Sequence, residues 1–453
     1  MTLLVSPETQ ALLSSAFFAN QVAHDTWQSF VALTYPGGLP ADHITADGLR
    51  APYTSPTNIA AYLWSTLAAG HLGIINLDET CQRVEETLDT LTRLERHAPS
   101  GMFYNWYDPL TTETLTSWPA GGGKIYPFLS SVDNGWLAAA LIMISNDLPP
   151  LRAAAQALLN LMDFGFFLNL SSGLLYGGFW PAPPPGRSQA GGYTRFEFGC
   201  LNTEPRIASY IGIAMGSLPP EHYFRMLRTF LPSEPPGRQK MQPNGHTHTY
   251  LGVDVFEGHY PYQGMGIVPT WEGSLFEALM PALFVPEALW GPQNWGINHP
   301  LYVRAHITHG LQEAQLGYWG CSPSAAPAGG YDVFGVGAIG MNANRQYSRP
   351  GSVVTPHAVF LAMPYAPDEA CQNLEKLCQN FAVYGPWGFW DSVDVCTGQV
   401  APCVLALDQG MILATLDNVL LGNRLQATFS QGMIEQAIRP LLEMEAFSAG
   451  YLA

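Results

Sequence analysis

The chain has 453 residues, of which 47% are apolar and 12% charged, enough for one large core or for two or three ordinary domains. Its 36 acidic and 19 basic residues leave a formal charge of -17, which repels phosphate backbones and anionic membrane surfaces and argues against nucleic acid as a partner. No run approaches the roughly 18 uninterrupted apolar residues of a membrane span, and the start MTLLVSPETQ has neither a basic n-region nor a cleavable apolar core.

In chain order, an opening helix is predicted near residues 7 to 33. Ser55-Pro56 opens the next, with Ile59, Tyr62, Leu63 and Leu67 on one face and the proline in the first turn, where it is harmless. DETCQRVEETLDTLTRLERH, near 78 to 97, carries Val84, Leu88 and Leu91 on one face and charges on the other, the pattern of a half-solvated outer helix. SSVDNGWLAAAL follows, with Ser130 or Ser131 as the cap, Asp133 in the first turn and a run of small and apolar residues suited to burial. Further starts of this inner kind fall at Asn202, near Thr270, near Ser352 and at Asp408, roughly 55 to 80 residues apart. Outer helices are expected near 150 to 168, 219 to 231, 299 to 316, 367 to 382 and 432 to 446.

Short turns such as NDLPP and SLPPE lead from inner to outer helices, and long loops lead back. The alternation predicts an all-α (α/α)6 barrel, six inner and six or seven outer helices in one domain over 1–453, with the long loops gathered at one end. FYNWYD and LLYGGFW are expected to form short β-hairpins over a cleft there. A parallel α/β fold would need repeated Val/Ile-rich strands before the helices, and these are missing.

Asp133, Glu204 and Asp408 each stand at or beside the start of an inner helix, so all three are expected at the loop-covered end. Each admits a plain structural role as well, because an acid there complements the helix dipole or caps it. In PTWEGSLFEALMPAL, Glu277 has apolar neighbours on both sides and needs a partner if buried, which makes it a reserve carboxylate beside Trp271 and Glu272. GVGAIG at 335 to 340 matches G-x-G-x-x-G, but no helical pattern follows, and the HTH of 246 to 248 lacks a third ligand. No G-x-S-x-G is present. Neither a cofactor nor a metal is expected. The seven cysteines form no C-x-x-C and are odd in number, which fits reduced thiols in a cytoplasmic protein, or a periplasmic or secreted one if a signal was trimmed. Twelve tryptophans and twenty tyrosines beside these acids suit a sugar ligand, although the same residues also fill cores.

At LRAPYTSPTNIAAYL, GMFYNWYD, SSVDNGWLAAAL, LNTEPRIAS, WEGSLFEALMP, YGPWGFWDSVD and ALDQGMILATLDN the chain resembles the glycoamylase-like family, which contains bacterial endo-β-1,2-glucanases and the transglycosylase domain of cyclic β-1,2-glucan synthases. The resemblance implies an (α/α)6 barrel and a neutral β-1,2-glucan substrate. By motif it implies Glu204 as general acid, with Asp133 and Asp408 in the cleft, one of them activating water. Trp136, Arg206, Trp271, Tyr331 and Trp387 would line sugar subsites, joined by Asn58 of TSPTNI and Tyr107 of NWYD. Relatives carry an acid soon after the Trp-Gly at 319 to 320, whereas here none precedes Asp332. Three activities remain open at this point: glucan hydrolysis, glucan transglycosylation, and glucan binding without chemistry.

Overall fold

The structure, a computed structural model, describes residues 18–119, 121–189, 191–235, 237, 239–344 and 351–452. Its helices are α1 (Phe18–Leu33), α2 (Pro56–His71), α3 (Leu77–Arg93), α4 (Ser131–Asp147), α5 (Arg152–Leu159), α6 (Arg206–Ala214), α7 (His222–Arg225) and α8 (Leu275–Leu279). They continue as α9 (Glu287–Trp290), α10 (Trp295–Thr308), α11 (Pro356–Ala362), α12 (Pro367–Asn380), α13 (Ala406–Leu420), α14 (Arg424–Ser430) and α15 (Met433–Met444).

A helix that is apolar all round must be enclosed, whereas one with a single apolar stripe settles at the surface. α2, α4 and α13 are of the first kind and are buried along almost their whole length. α3, by contrast, buries one stripe that includes Val84, Leu88 and Leu91. α11 packs on α13, α13 on α2, α2 on α4 and α4 on α6, while α8 packs on α11. Arg206 of α6 closes the remaining gap by donating to the carbonyls of Glu277 and Ala278 in α8. Outside this series lie α1 on α13 and α2, α3 on α2, α5 on α4, α10 on α8, α12 on α11 and α15 on α6. One continuous core runs from Val22 to Phe447. Each Leu, Ile or Phe fully buried there contributes about 1.5–3 kcal/mol relative to exposure.

Two glycines set how closely inner helices approach. A Cβ on Gly135 of α4 would stand 2.8 Å from Ala208 Cβ of α6, and one on Gly410 of α13 would stand 3.0 Å from Ala61 of α2. The first approach brings the start of α6, with Glu204, against the start of α4, with Asp133.

Several elements differ from expectation. The opening helix is described only from Phe18, so residues 7 to 17 of that reading lie outside the described residues. The segment 219 to 231 holds a single turn, α7, and the outer neighbour of α6 is α15 instead. Residues 150 to 168 split into α5, which ends at Leu159 with Asn160 as its C-cap, and a short 3-10 turn over Phe164–Phe167 that Asp163 caps. Asn202 does not cap α6; its amide donates to Val268 O and Glu204 precedes the helix. Asp408 is the third residue of α13 and not its cap. FYNWYD makes isolated bridges to neighbouring loops and no hairpin of its own. The largest sheet, unforeseen, is antiparallel: β1 (Asn244–Tyr250), β2 (Val253–Tyr262), β3 (Met265–Ile267) and β4 (Gly450–Tyr451), in the order β4-β3-β2-β1. GVGAIG forms a 3-10 turn, and its Gly335 and Gly340 pack on the backbone of Glu272 and Gly273 where no side chain fits.

Candidate active site

The N-terminal ends of the inner helices bring two groups of acids to one cleft. In the first, Ser130 Oγ caps α4 by accepting the Asp133 amide at 3.2 Å, and Thr57 Oγ1 of α2 donates to Asp133 Oδ1 at 2.5 Å. Glu204 is half-buried in the turn before α6. Its carboxyl is raised to about 8, first by burial, then by the charge of Glu277, with a smaller push from Asp133.

Glu277 is the third residue of α8 and part of a capping box with Ser274. Its carboxylate accepts from Thr270 Oγ1, Ser274 Oγ and the amides of Glu272 and Ser274 at 2.7–3.1 Å. Burial raises this carboxyl too. Four donors favour the ionised form, so Glu277 holds the charge and Glu204 the proton of this pair. Glu277 is therefore a fixed neighbour of the acid, with its oxygens occupied.

The second group is Asp391, Asp408, Asp42 and His357. Asp408 is 4% and Asp391 1% exposed. Asp391 Oδ2 accepts the Ala325 amide at 2.6 Å, so the stretch after Trp319-Gly320, which lacks an acid, packs beside one from another loop. The Asp391 and Asp408 carboxyls face each other closely enough to share a proton. Burial raises both, Asp391 to about 6, and the charge of Asp391 adds to the rise at Asp408. His357 Nδ1 lies 3.3 Å from Asp408 Oδ2, yet burial drives the imidazole down to about 3, so the contact is not an ion pair. Asp42 accepts from Asn58 Nδ2 at 2.9 Å, and its backbone carbonyl accepts the Ala406 amide at the start of α13.

Tyr331 joins the two groups. It keeps 63% of its surface open, but burial of the phenol and then the charges of Asp408, Asp391, Glu204 and Asp42 raise its pKa well above the ordinary value. The phenol thus stands between the acids. Trp271 is exposed, edge-on to Phe230 and next to the Glu277 pocket, and Trp387 is half-buried against Trp390 at the loop beside the start of α13.

Four of the expected subsite residues are not placed to line the cleft. Trp136 is 1% exposed and packs on Trp64 and Phe284, because one turn into α4 the helix is already enclosed. Arg206 is fully buried, forked onto both oxygens of Glu287 at 2.6 and 2.8 Å and over the Trp295 ring, with its other N–H groups on three carbonyls. It braces Glu204 and Glu277 from behind. Tyr107 is buried, accepting from the Tyr104 amide and donating to Glu95 O. Asn58 is buried and reaches the site only through Asp42. Asp42, Asp391 and His357 were missed; Asp391 stands in FWDSVD, a motif noted for its aromatics while its acid went unread.

The family model for putative glucoamylase, Glycoamylase, matches residues 246–432. The cyclic beta-(1,2)-glucan synthase NdvB of Rhizobium meliloti (strain 1021) is 24% identical over 577 aligned residues, covering 94% of this chain, which spans only 18% of that relative's length. The endo-beta-1,2-glucanase from Chitinophaga pinensis, solved with sophorotriose and glucose, superposes with a TM-score of 0.69 at 16% identity, over 97% of this chain and 98% of its own. That from Talaromyces funiculosus, solved with sophorose, gives 0.71 at 14% identity, over 97% and 90%. In motifs, in the family model and in fold along nearly its whole length, the chain is similar to the glycoamylase-like family.

Proposed function

We propose that this protein is a glycoside hydrolase that cleaves β-1,2-glucan internally, within an (α/α)6 barrel formed by α2, α4, α6, α8, α11 and α13 and their outer neighbours as one domain. The observation that carries the reading is the pair of acid groups across one cleft: a carboxyl held protonated at Glu204, and a buried pair, Asp408 with Asp391, on the far side of Tyr331. Glu204 protonates the leaving oxygen, and the Asp391–Asp408 pair, which holds one proton between its two carboxyls, takes the proton of the attacking water on its ionised carboxylate. Asp133, tied to Thr57 beside Glu204, fits a place near the leaving group better than the base. The substrate class comes from the relatives, solved with β-1,2-linked oligosaccharides, and from the charge of -17, which suits a neutral glucan. All seven thiols are free, which fits a reducing, cytoplasmic setting.

The test is incubation with linear β-1,2-glucan, with reducing ends counted and products sized. Net new reducing ends on shorter chains support hydrolysis. Longer or cyclic products, the reading favoured by similarity to the synthase, support transglycosylation, and bound but unchanged glucan supports a binding protein. A carboxyl separation of about 6.5–9.5 Å goes with inversion and one of about 5–5.5 Å with retention, so proton NMR of the first products distinguishes the two: the α-anomer before mutarotation for inversion, the β-anomer for retention.

A further inference from the structure

His357, the second residue of α11, Asp408 in the first turn of α13, and Asp391 in the loop before it each aim one donor atom at the same point, and these atoms lie within 4.8 Å of one another. All three side chains are at least nine-tenths buried. Neither ring nitrogen of His357 meets a hydrogen-bond partner among the described residues, and the same holds for Asp391 Oδ1 and Asp408 Oδ2 apart from a proton shared between the carboxyls. No lysine or arginine among the described residues is ion-paired with either carboxyl. Orphaned donors and acceptors of this kind are costly to bury, so something is expected to occupy the point they face.

We propose that His357, Asp391 and Asp408 bind a first-row divalent cation of the zinc type, and that its binding inhibits the enzyme. One imidazole and two carboxylates make a mixed nitrogen and oxygen donor set, which suits Zn2+ better than Mg2+ or Ca2+ with their all-oxygen preference. Donors about 2.1 Å from a tetrahedral ion stand about 3.4 Å apart. His357 Nδ1 and Asp408 Oδ2 are already 3.3 Å apart, and Asp391, within 4.8 Å of both, would move in by at most about 1.4 Å to complete the site. The cation displaces the shared proton to solvent and engages both carboxylates, leaving no base for water. The inhibitory half rests on the reading of the Asp391–Asp408 pair as base; the binding half does not.

The full chain, stripped with a chelator, is titrated with Zn2+ in a calorimeter, with Mg2+ as control. One Zn2+ per chain and no Mg2+ heat are expected. His357→Gln should weaken the zinc by more than about 10-fold, since even partners outside the ligand set cost that much. Replacing the exposed neighbours His246 and His248 of β1 by Gln should leave it unchanged. Zinc binding that survives His357→Gln, or that disappears with the β1 pair, overturns the site. Should His357→Gln fail to fold, the Co2+ absorption of the unaltered protein decides: a protein-bound band without thiolate charge transfer supports these donors, and a thiolate band or the spectrum of the free aqueous ion overturns them. Zinc that binds without slowing glucan turnover removes the inhibitory half. Zinc binding in a protein with no turnover on glucan overturns the hydrolase reading and leaves the site standing.

Discussion

The two ends of the inner helices use similar side chains in opposite ways. At the N-terminal end, burial together with like charge raises Glu204, Asp391 and Asp408, and the charge of Arg206 offsets this only in part at Glu204. At the C-terminal end His71, the last residue of α2, lies between two acids: its Nε2 is 2.8 Å from Asp147 Oδ2, at the end of α4, and its Nδ1 is 2.7 Å from Asp417 Oδ2 of α13. Burial alone would lower this imidazole, but the hydrogen bonds and charges of the two acids raise it, and burial of Asp147 is likewise outweighed by His71. One end keeps carboxyls that hold or share protons, available for transfer. The other ties three helices together with compensated charge, at helix termini where a cation is also favoured by the dipole.

The largest break in this comparison comes from removing the proton at the open end. Glu204→Gln keeps size and hydrogen bonding, so glucan binding should persist while turnover falls by on the order of 10² to 10⁴. A glucoside with an activated leaving group needs little protonation and should lose much less. Equal losses on both substrates, or full glucan turnover, would show that Glu204 is not the acid.

The next largest effect lies behind the open end, at a compensated pair. Glu287, held down to about 2 chiefly by Arg206 against the effect of burial, also accepts from Tyr210 and His299. Arg206→Met leaves that charge buried without its main partner and should cost about 3–5 kcal/mol in urea unfolding. Adding Glu287→Leu should recover most of the loss. A single mutant as stable as the parent would mean that the brace carries no weight.

The contrast between the ends also bears on what was legible. α2, α4 and α13 were, because an all-round apolar helix can only be enclosed, and Ser130 and Asp133 read correctly as cap and first-turn acid. The four-stranded sheet was not. β1, NGHTHTY, is exposed at every residue but Tyr250, so no buried alternation marks it. At the site, Arg206 was expected to line a sugar subsite, but it is buried, with its charge on Glu287. Trp136 was read beside Asp133 as a sugar platform, but one helical turn separates cleft from core. Asp391 needed knowledge of which loop lies beside the segment after Gly320, and no local pattern carries that.

A finer cut separates burial from charge as causes of the proton on Glu204. Glu277→Gln keeps the cap geometry but removes the largest charge acting on Glu204. The carboxyl of Glu204 should then lose its proton at lower pH. In the pH profile of kcat, the alkaline limb, which starts near about 8 in the parent, should move down by roughly 1 unit or more. If the limb stays in place while the protein melts normally, burial alone holds the proton.

The smallest effect belongs to the tied end, and its sign depends on pH. His71 has a folded pKa above its unfolded value of about 6.5, so its contribution is complete below that value and is lost as pH rises through the raised one. Asp147 has a folded pKa below its unfolded value of about 3.9, so its contribution is present above that value and is lost as pH falls through the lowered one. The tie is therefore strongest between about pH 4 and 6.5. His71→Asn removes it and should cost about 1–3 kcal/mol there, with the gap to the parent narrowing toward pH 9. Urea unfolding of both proteins across this range measures the gap. A gap that does not change with pH would mean that His71 is neutral when folded, and that the lower end is held by packing alone.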